Sequence, residues 1–307
     1  MQTILGAGGS IGTPLAKELT AFTGQIRLVS RNPKKINTSD ELFPADLLDA
    51  EKVSKAVKGS DVVYLVAGLP YKIKVWQEMW PKVMRNTLDA CIEHKSRLVF
   101  LDNIYLYDPD HIPHTTEETP VKPSSKKGRV RADIAQMLMN DVEAGKVNAL
   151  IARAPDFYGP GIKNTLVNDA VFNPMKAGKK ASWFASADKI HSFIWTPDAA
   201  KATAILGNDE KAFGQVWHLP TASDPMTGRQ IIEFLASEMG IKPKFQLAGK
   251  TIISLLGIFN PVMKEFVEML YQYDRDYVFD SSKFEKAYHF KPTPYREGLK
   301  MMIAASG

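Results

Sequence analysis

The first dozen residues decide most of what this chain can fold into. A short apolar run, Thr3-Ile4-Leu5, leads directly into Gly6-Ala-Gly-Gly-Ser-Ile-Gly12, and a stretch with helical spacing follows from Pro14 to about Phe22. Glycines stand at 6, 9 and 12, with one more at 8. A strand that turns this sharply into a helix needs residues free of a Cβ clash. Backbone N–H groups at the head of the following helix then face outward, where they can meet phosphate oxygens. Gly12 lets the helix pack close against the strand. Glycines at this spacing, between a strand and a helix, form the phosphate cradle of a dinucleotide. Gly6, Gly9, Ser10, Ile11 and Gly12 are the first candidate cofactor-binding residues.

The rest of the first half repeats the strand–helix rhythm. Apolar runs at Ile26–Val29, Asp61–Val66, Arg97–Leu101 and Val147–Ala152 alternate with amphipathic stretches at 51–57, 71–91 and 129–144. Strands joined through helices pair in parallel, and short unpatterned apolar runs suit strands buried on both faces. The fold class expected is α/β, a doubly wound parallel sheet. The second half is less regular. Proline and glycine cluster at 155–161, 173–178 and 220–228, and helices are expected at 199–206, 228–239 and 260–273.

The end of the second strand bears on the cofactor. Folds that bind NAD carry an acidic residue there for the ribose hydroxyls. Here the strand ends Val29-Ser30-Arg31, with Lys34 and Lys35 beyond. A guanidinium offers a planar fork to a 2′-phosphate, which a carboxylate would repel. Arg31 and Lys35 therefore point to NADP, with NAD as the alternative. Asp46 and Leu47 follow a third short strand, where Asp46 could accept from the adenine amino group.

These motifs together resemble a short-chain dehydrogenase/reductase of the extended or atypical kind, similar to the NAD-dependent epimerase/dehydratase family. Gly6 to Gly12 matches its G-x-x-G-x-x-G turn and Asp46-Leu47 its Asp-Leu pair. Val66-Ala67-Gly68 resembles the strand end near the adenine ribose, which assigns Ala67 and Gly68 to the cofactor. Leu88-Asp-Ala-Cys91 resembles its L-x-A helix, and Ile104-Tyr-Leu-Tyr107 the stretch that ends in Tyr-Gly, with Asp108 in place of Gly. Arg153-Ala-Pro-Asp-Phe-Tyr-Gly-Pro160 resembles the R-x-x-x-x-Y-G-P segment, and His191 to Ala199 the late strand with its D-x-A helix start. Pro294 to Leu299 resembles the closing helix. The resemblance implies a Rossmann-type domain over residues 1–155, completed by 190–220. A small C-terminal substrate lobe would be assembled from 156–189 and 221–307. It also implies hydride chemistry, in which a positioned donor meets the negative charge that builds on a carbonyl oxygen.

The family's Tyr-x-x-x-Lys pair is missing. By alignment, its tyrosine position falls on Lys127, its lysine position on Arg131 and its serine or threonine position on Asn103. No tyrosine lies between Asp108 and Tyr158, so a shifted alignment cannot restore the pair. Two readings follow. An ammonium can donate to a carbonyl, so Lys127 would act as acid, with Asn103 bonding the carbonyl and Arg131 holding ribose or phosphate. That describes an NADP-dependent oxidoreductase acting on a small carbonyl or hydroxyl compound. Alternatively, catalysis is lost and the protein senses NADPH. A nucleotide-sugar epimerase or dehydratase is the other enzyme reading. The resemblance places Pro155 beside the cofactor, and Asp156, Phe157 and Tyr107 toward substrate.

Other features exclude more than they assign. Lys and Arg number 39 against 34 Asp and Glu, a net charge of +5, with no run of five like charges. That is no nucleic-acid arm. One cysteine, Cys91, cannot form an internal disulfide. The most apolar stretch, 251–259, is too short to span a bilayer. No signal peptide is read at the N-terminus, and a soluble cytoplasmic protein is expected. His111 and His114 read as a surface loop, and no metal is expected. Trp76, Trp80, Met84 and Leu88 form a helical stripe that reads as core, or as the contact of a homodimer.

Overall fold

The computed structural model describes residues 1–259 and 261–306. The chain forms two compact units: Met1–Tyr105, Lys127–Arg153 and Ala199–Leu219 make the first, and Leu106–Lys126, Ala154–Asp198 and Pro220–Gly307 the second. In chain order the elements begin with β1 (Gln2–Leu5), α1 (Gly12–Glu18), β2 (Ile26–Ser30), β3 (Glu41–Pro44), α2 (Ala50–Val57), β4 (Val62–Leu65), α3 (Ile73–His94) and β5 (Arg97–Asp102). They continue with α4 (Lys126–Glu143), β6 (Ala149–Arg153), β7 (Asp156–Tyr158), α5 (Asn173–Lys176), β8 (Ala181–Phe184), β9 (Phe193–Trp195), α6 (Thr196–Asn208) and β10 (Val216–His218). The remainder are α7 (Gly228–Glu238), β11 (Phe245–Ala248), α8 (Lys250–Phe259), α9 (Pro261–Phe266), α10 (Ser282–Tyr288) and α11 (Tyr295–Ala304).

The first unit holds a seven-stranded sheet in the order β10-β6-β5-β4-β1-β2-β3. Every pair in it is parallel. The chain builds outward from β1 through β2 to β3, then returns to lay β4 on the other side of β1. At that reversal a crevice opens beyond the carboxyl ends of β1 and β4, the place where such sheets bind ligands. Of the inner strands β1, β4 and β6 are buried throughout and β2 and β5 nearly so, as their apolar runs require, and the edge strand β3 is largely exposed. Tyr64 in β4 is an exception in chemistry and not in burial. Its hydroxyl donates to Gln2 Oε1 at 2.8 Å, and burial pushes its ionisation well up. Gly207 on α6 makes the room, since a Cβ there would stand 2.2 Å from the Tyr64 hydroxyl.

The helices follow their sequence signals closely. Asp49 caps α2 by accepting from the Lys52 amide. On α3, Trp76, Trp80, Met84 and Leu88 are buried, so this stripe is core of the first unit. Cys91 is buried beside them, and burial pushes its thiol up to about 12, which makes it unreactive. Some bounds differ from expectation: α1 ends at Glu18 and passes into a 3₁₀ turn, Leu19–Ala21, and α6 begins at Thr196 and not at 199. α4 starts at Lys126 and not at 129, because its first turn carries Lys126, Lys127 and Gly128, which show no apolar period. Of the run expected as one helix over 260–273, Asn260 lies outside the described residues, and the rest is α9 followed by a 3₁₀ segment, Val267–Gln272.

The second unit has two small parallel pairs, β7 with β9 and β8 with β11. Its core gathers Tyr158, Phe172, Trp183, Phe193, Trp195, Ile232, Leu235 and Tyr295. Gly228 admits Trp183: a Cβ at 228 would meet the indole at 2.2 Å. α8 buries Ile253 and exposes Ile252, Leu255 and Ile258. Among the described residues, no helix is long and apolar enough to cross a membrane.

Candidate functional site

The glycine turn lies at the crevice between β1 and β4. Gly6 and Gly8 have φ of +96° and +87°, which glycine adopts without strain. The amides of Gly6 and Ala7 both donate to the Val29 carbonyl, at 2.9 and 3.0 Å, which ties the turn to β2. On the other side, a Cβ at Gly6 would stand 2.4 Å from the Ala67 Cα, just beyond β4. A Cβ at Gly12 would stand 2.9 Å from the Gly6 carbonyl oxygen. Around Gly8 there is nothing within 4 Å, and Gly9 meets only the Gly6 carbonyl, at 3.5 Å. The turn therefore packs tightly where it faces protein and stays open at its tip. Ser10 is half-buried there, while Ile11 is buried ahead of α1. This is a cradle that a dinucleotide pyrophosphate fits, with Gly68 exposed across from it.

The residues expected at the adenosine end are on the surface. Arg31 is exposed immediately after β2. Lys35 folds onto its own loop, its Nζ donating to the Thr38 carbonyl at 2.8 Å. Asp46 is also exposed, and its Oδ1 accepts from the Leu48 amide at 3.0 Å. The Leu47 carbonyl accepts from Asn86 Nδ2 at 2.9 Å. Arg31 and Lys34 are thus exposed cations just past β2, whereas Lys35 and Asp46 also hold their loops.

The first unit gathers charge at the carboxyl ends of β5 and β6. Lys127, in the first turn of α4, is fully buried, and its ammonium sits 4.7 Å from the centre of the Tyr71 ring. One turn on, Arg131 donates from Nε to Asp102 Oδ1 at 2.7 Å and from Nη2 to the Leu101 carbonyl at 3.3 Å. Its guanidinium lies 4.5 Å from the Trp80 ring and 4.9 Å from that of Phe100. Arg153 reaches Asp102 Oδ2 at 3.4 Å. All three side chains are buried, so one carboxylate is flanked by two guanidinia in a region water does not enter. The guanidinium expected to hold ribose or phosphate is therefore committed to Asp102 and to the rings around it. Asn103 uses its Oδ1 to accept from the Tyr105 amide at 3.0 Å, which leaves the amide nitrogen as its donor.

Sequence reasoning missed Tyr71 and Asp102. Tyr71 ends the loop after β4 and stands edge-on to Trp76, with centroids 5.7 Å apart at 84°. Trp76 in turn stacks on Tyr105 at 6.2 Å. The signal for Asp102 was a charged residue closing an otherwise apolar strand.

The second unit carries its own polar cluster. Asp156, at the start of β7, accepts at Oδ2 from His191 Nε2 and from the Tyr273 hydroxyl, both at 2.9 Å. The other ring nitrogen of His191 faces the Gln272 carbonyl at 3.2 Å. Both ring nitrogens of His191 thus have an oxygen partner, one on Asp156 and one on the Gln272 backbone. Its ring stacks on Tyr273 at 4.5 Å and is buried, while Asp156 keeps partial contact with solvent. Phe157 is half-buried, Pro155 is buried, and Tyr107 is fully buried with its backbone bridged to Val121. His111 lies 3.6 Å from Asp108, and His114 lies 3.0 Å from Asp280. Among the described residues no group of three His, Cys, Asp or Glu could hold a metal ion.

Residues 3–217 match the model of the NAD dependent epimerase/dehydratase family. A comparison with curated proteins finds no match. Among solved structures, the chain is similar to the UDP-glucose 4-epimerase of Thermus thermophilus in complex with NAD. The TM-score is 0.78 at 19% identity, covering 99% of this chain and 98% of that one. A dTDP-glucose 4,6-dehydratase of Streptomyces venezuelae with NAD bound gives a TM-score of 0.79 at 13% identity, covering 99% and 96%. The UDP-glucuronic acid 4-epimerase of Bacillus cereus with NAD gives 0.80 at 17%, covering 99% and 98%. At these identities the likeness is one of fold.

Proposed function

Because the chain belongs to the NAD dependent epimerase/dehydratase family, we propose that it is an oxidoreductase that binds NADP in preference to NAD. It would exchange hydride with a small carbonyl or hydroxyl compound. The observation that carries the reading is the glycine turn packed on Ala67, with Lys127 and Asn103 beyond the same edge of the sheet. The turn, Ala67 and Gly68 would hold the pyrophosphate and the adjoining ribose, and Arg31 a 2′-phosphate. When bound, the nicotinamide supplies or takes up a hydride. The chain's part is to meet the charge that develops on the substrate oxygen. Lys127 provides a buried positive charge there and Asn103 an amide donor. Arg131, fixed by Asp102, would hold α4 and β5 in register.

Titration calorimetry with NADPH and NADH tests the cofactor, and absence of binding to either would overturn the reading. Turnover over a panel of small carbonyl compounds tests the reaction. Lys127→Met should cut turnover by about 100-fold or more while NADPH binding is kept. Unchanged rates would remove Lys127 from the site.

A second reading is a nucleotide-sugar epimerase or dehydratase, favoured by the solved relatives of that kind. It predicts NAD carried through purification and a UDP- or dTDP-sugar converted without added cofactor.

A further inference from the structure

We propose that the segment 241–258 of the second unit docks the protein on an anionic lipid surface, with α8 lying along the membrane plane. Among the described residues, ten large apolar side chains are exposed. Five of them fall in this one stretch: Ile241, Leu247, Ile252, Leu255 and Ile258. A single exposed apolar residue needs no explanation, whereas a cluster of them marks a surface that something covers.

On α8 the cluster has a defined geometry. At about 100° of rotation per residue, Ile252, Leu255 and Ile258 share one face of the helix, and Ile253 and Gly257 share the opposite one. Burial follows that division. Ile253 is 0% exposed, whereas Ile252, Leu255 and Ile258 are 50%, 61% and 71% exposed. Gly257 is buried against α9, where an added Cβ would stand 3.0 Å from the Lys264 Cα. One face of α8 therefore packs closely on protein, and the other offers three branched aliphatic side chains to the outside. Leu247, exposed on β11, comes just ahead of the helix. Taking such side chains out of water is favourable in proportion to the apolar area covered.

Charge identifies the occupant. Residues 239–264 contain Lys242, Lys244, Lys250 and Lys264 and no Arg, Asp or Glu. Those four lysines supply most of the chain's net charge of +5. Lys242, Lys244 and Lys264 are exposed. An apolar helix face in a segment whose only charges are lysines matches a bilayer with negative headgroups. The aliphatic side chains enter the acyl boundary, and the ammonium groups stay at the level of the phosphates. A second copy of the chain fits less well, because a two-fold contact would set these lysines against their own copies. The helix has 10 residues. That gives it a length of about 15 Å, half the thickness of a hydrocarbon core, so it lies on a bilayer and does not cross it.

Co-sedimentation of the full chain with lipid vesicles tests the proposal. The chain should sediment with vesicles of phosphatidylcholine mixed with phosphatidylglycerol and stay in solution with phosphatidylcholine alone. Binding should fall as salt is raised. Leu255→Gln combined with Ile258→Gln keeps good helix formers on the exposed face and should weaken vesicle binding by about tenfold or more. Lys242→Glu combined with Lys244→Glu leaves α8 untouched and should weaken it to a similar extent, about tenfold or more. Both variants should keep the circular dichroism of the wild type. Wild type that stays in solution with the anionic vesicles overturns the proposal, and so does full binding by the Leu255→Gln, Ile258→Gln chain. Equal binding to neutral and mixed vesicles overturns the assignment to anionic lipid. A wild-type dimer in sedimentation velocity that the same glutamine variant makes monomeric, with no vesicle binding, assigns the face to a second copy and overturns the lipid.

Discussion

Asp102 and Arg131 form an ion pair that water does not reach, with Nε 2.7 Å from Oδ1 and both side chains almost fully buried. A second cation, Arg153, approaches the other carboxylate oxygen at 3.4 Å. Removing this anion leaves the buried Arg131 guanidinium without the charge it pairs with. Asp102→Asn should therefore cost about 3–5 kcal/mol of folding stability, read from urea midpoints. Arg131→Met should cost less. Arg153 stays beside Asp102, and the slot lined by Trp80 and Phe100 accepts a flexible apolar chain. The reverse order of the two variants would show that Arg131 matters more through its aromatic contacts than through charge.

Local signals made the first unit legible. The glycine turn and the apolar strands depend on neighbours within a few residues, and each stands where its sequence pattern put it. The charged sites were less so. Asp156 and His191 are 35 positions apart, and Asp156 and Tyr273 are 117 apart. No period or motif connects residues brought together only by strand pairing and a 3₁₀ turn. Arg131 was read by alignment, which gives a position but not what surrounds it, and the aromatic slot around its guanidinium comes from other elements. Tyr71 follows a proline in a loop and has no pattern to mark it.

The contact between residue 6 and Ala67 separates two glycines that look alike in sequence. Both Gly6 and Gly8 have positive φ, so alanine at either costs roughly 1–2 kcal/mol in backbone strain. Only at Gly6 would the added Cβ also collide with backbone, because Gly8 has open space around it. Gly6→Ala should lower Tm clearly more than Gly8→Ala, and should abolish NADPH binding by displacing the strand end at Ala67. Equal shifts in Tm would mean that Ala67 gives way without cost.

Arg31 is exposed at the end of β2, and a 2′-phosphate is what distinguishes NADP from NAD. Arg31→Ala should raise the Kd for NADPH by about tenfold or more and leave that for NADH nearly unchanged. Because the contact would be between charges at the surface, the NADPH preference should also weaken as salt is raised. Calorimetry at two ionic strengths measures both effects. A preference that survives the substitution would assign the phosphate to Lys34 or to another cation.

Acid stability should depend in part on Asp141, the residue on α4 that meets Arg85 at 2.8 Å and Lys146 at 3.2 Å. Burial pushes this carboxyl up, but the hydrogen bonds and charges of Arg85 and Lys146 outweigh it and hold the folded value below the usual 3.8. A carboxyl whose folded value is depressed stabilises the fold above its unfolded value. That stabilisation is lost as pH falls through the folded one. Wild type should thus exceed Asp141→Asn by about 1 kcal/mol at neutral pH, the pair being partly open to water through Arg85 and Lys146. The gap should begin to close as pH falls through about 3.8 and vanish below the lower folded value. Urea midpoints for both proteins across that range measure it, and a gap that stays constant with pH would mean that the asparagine disturbs packing and not charge.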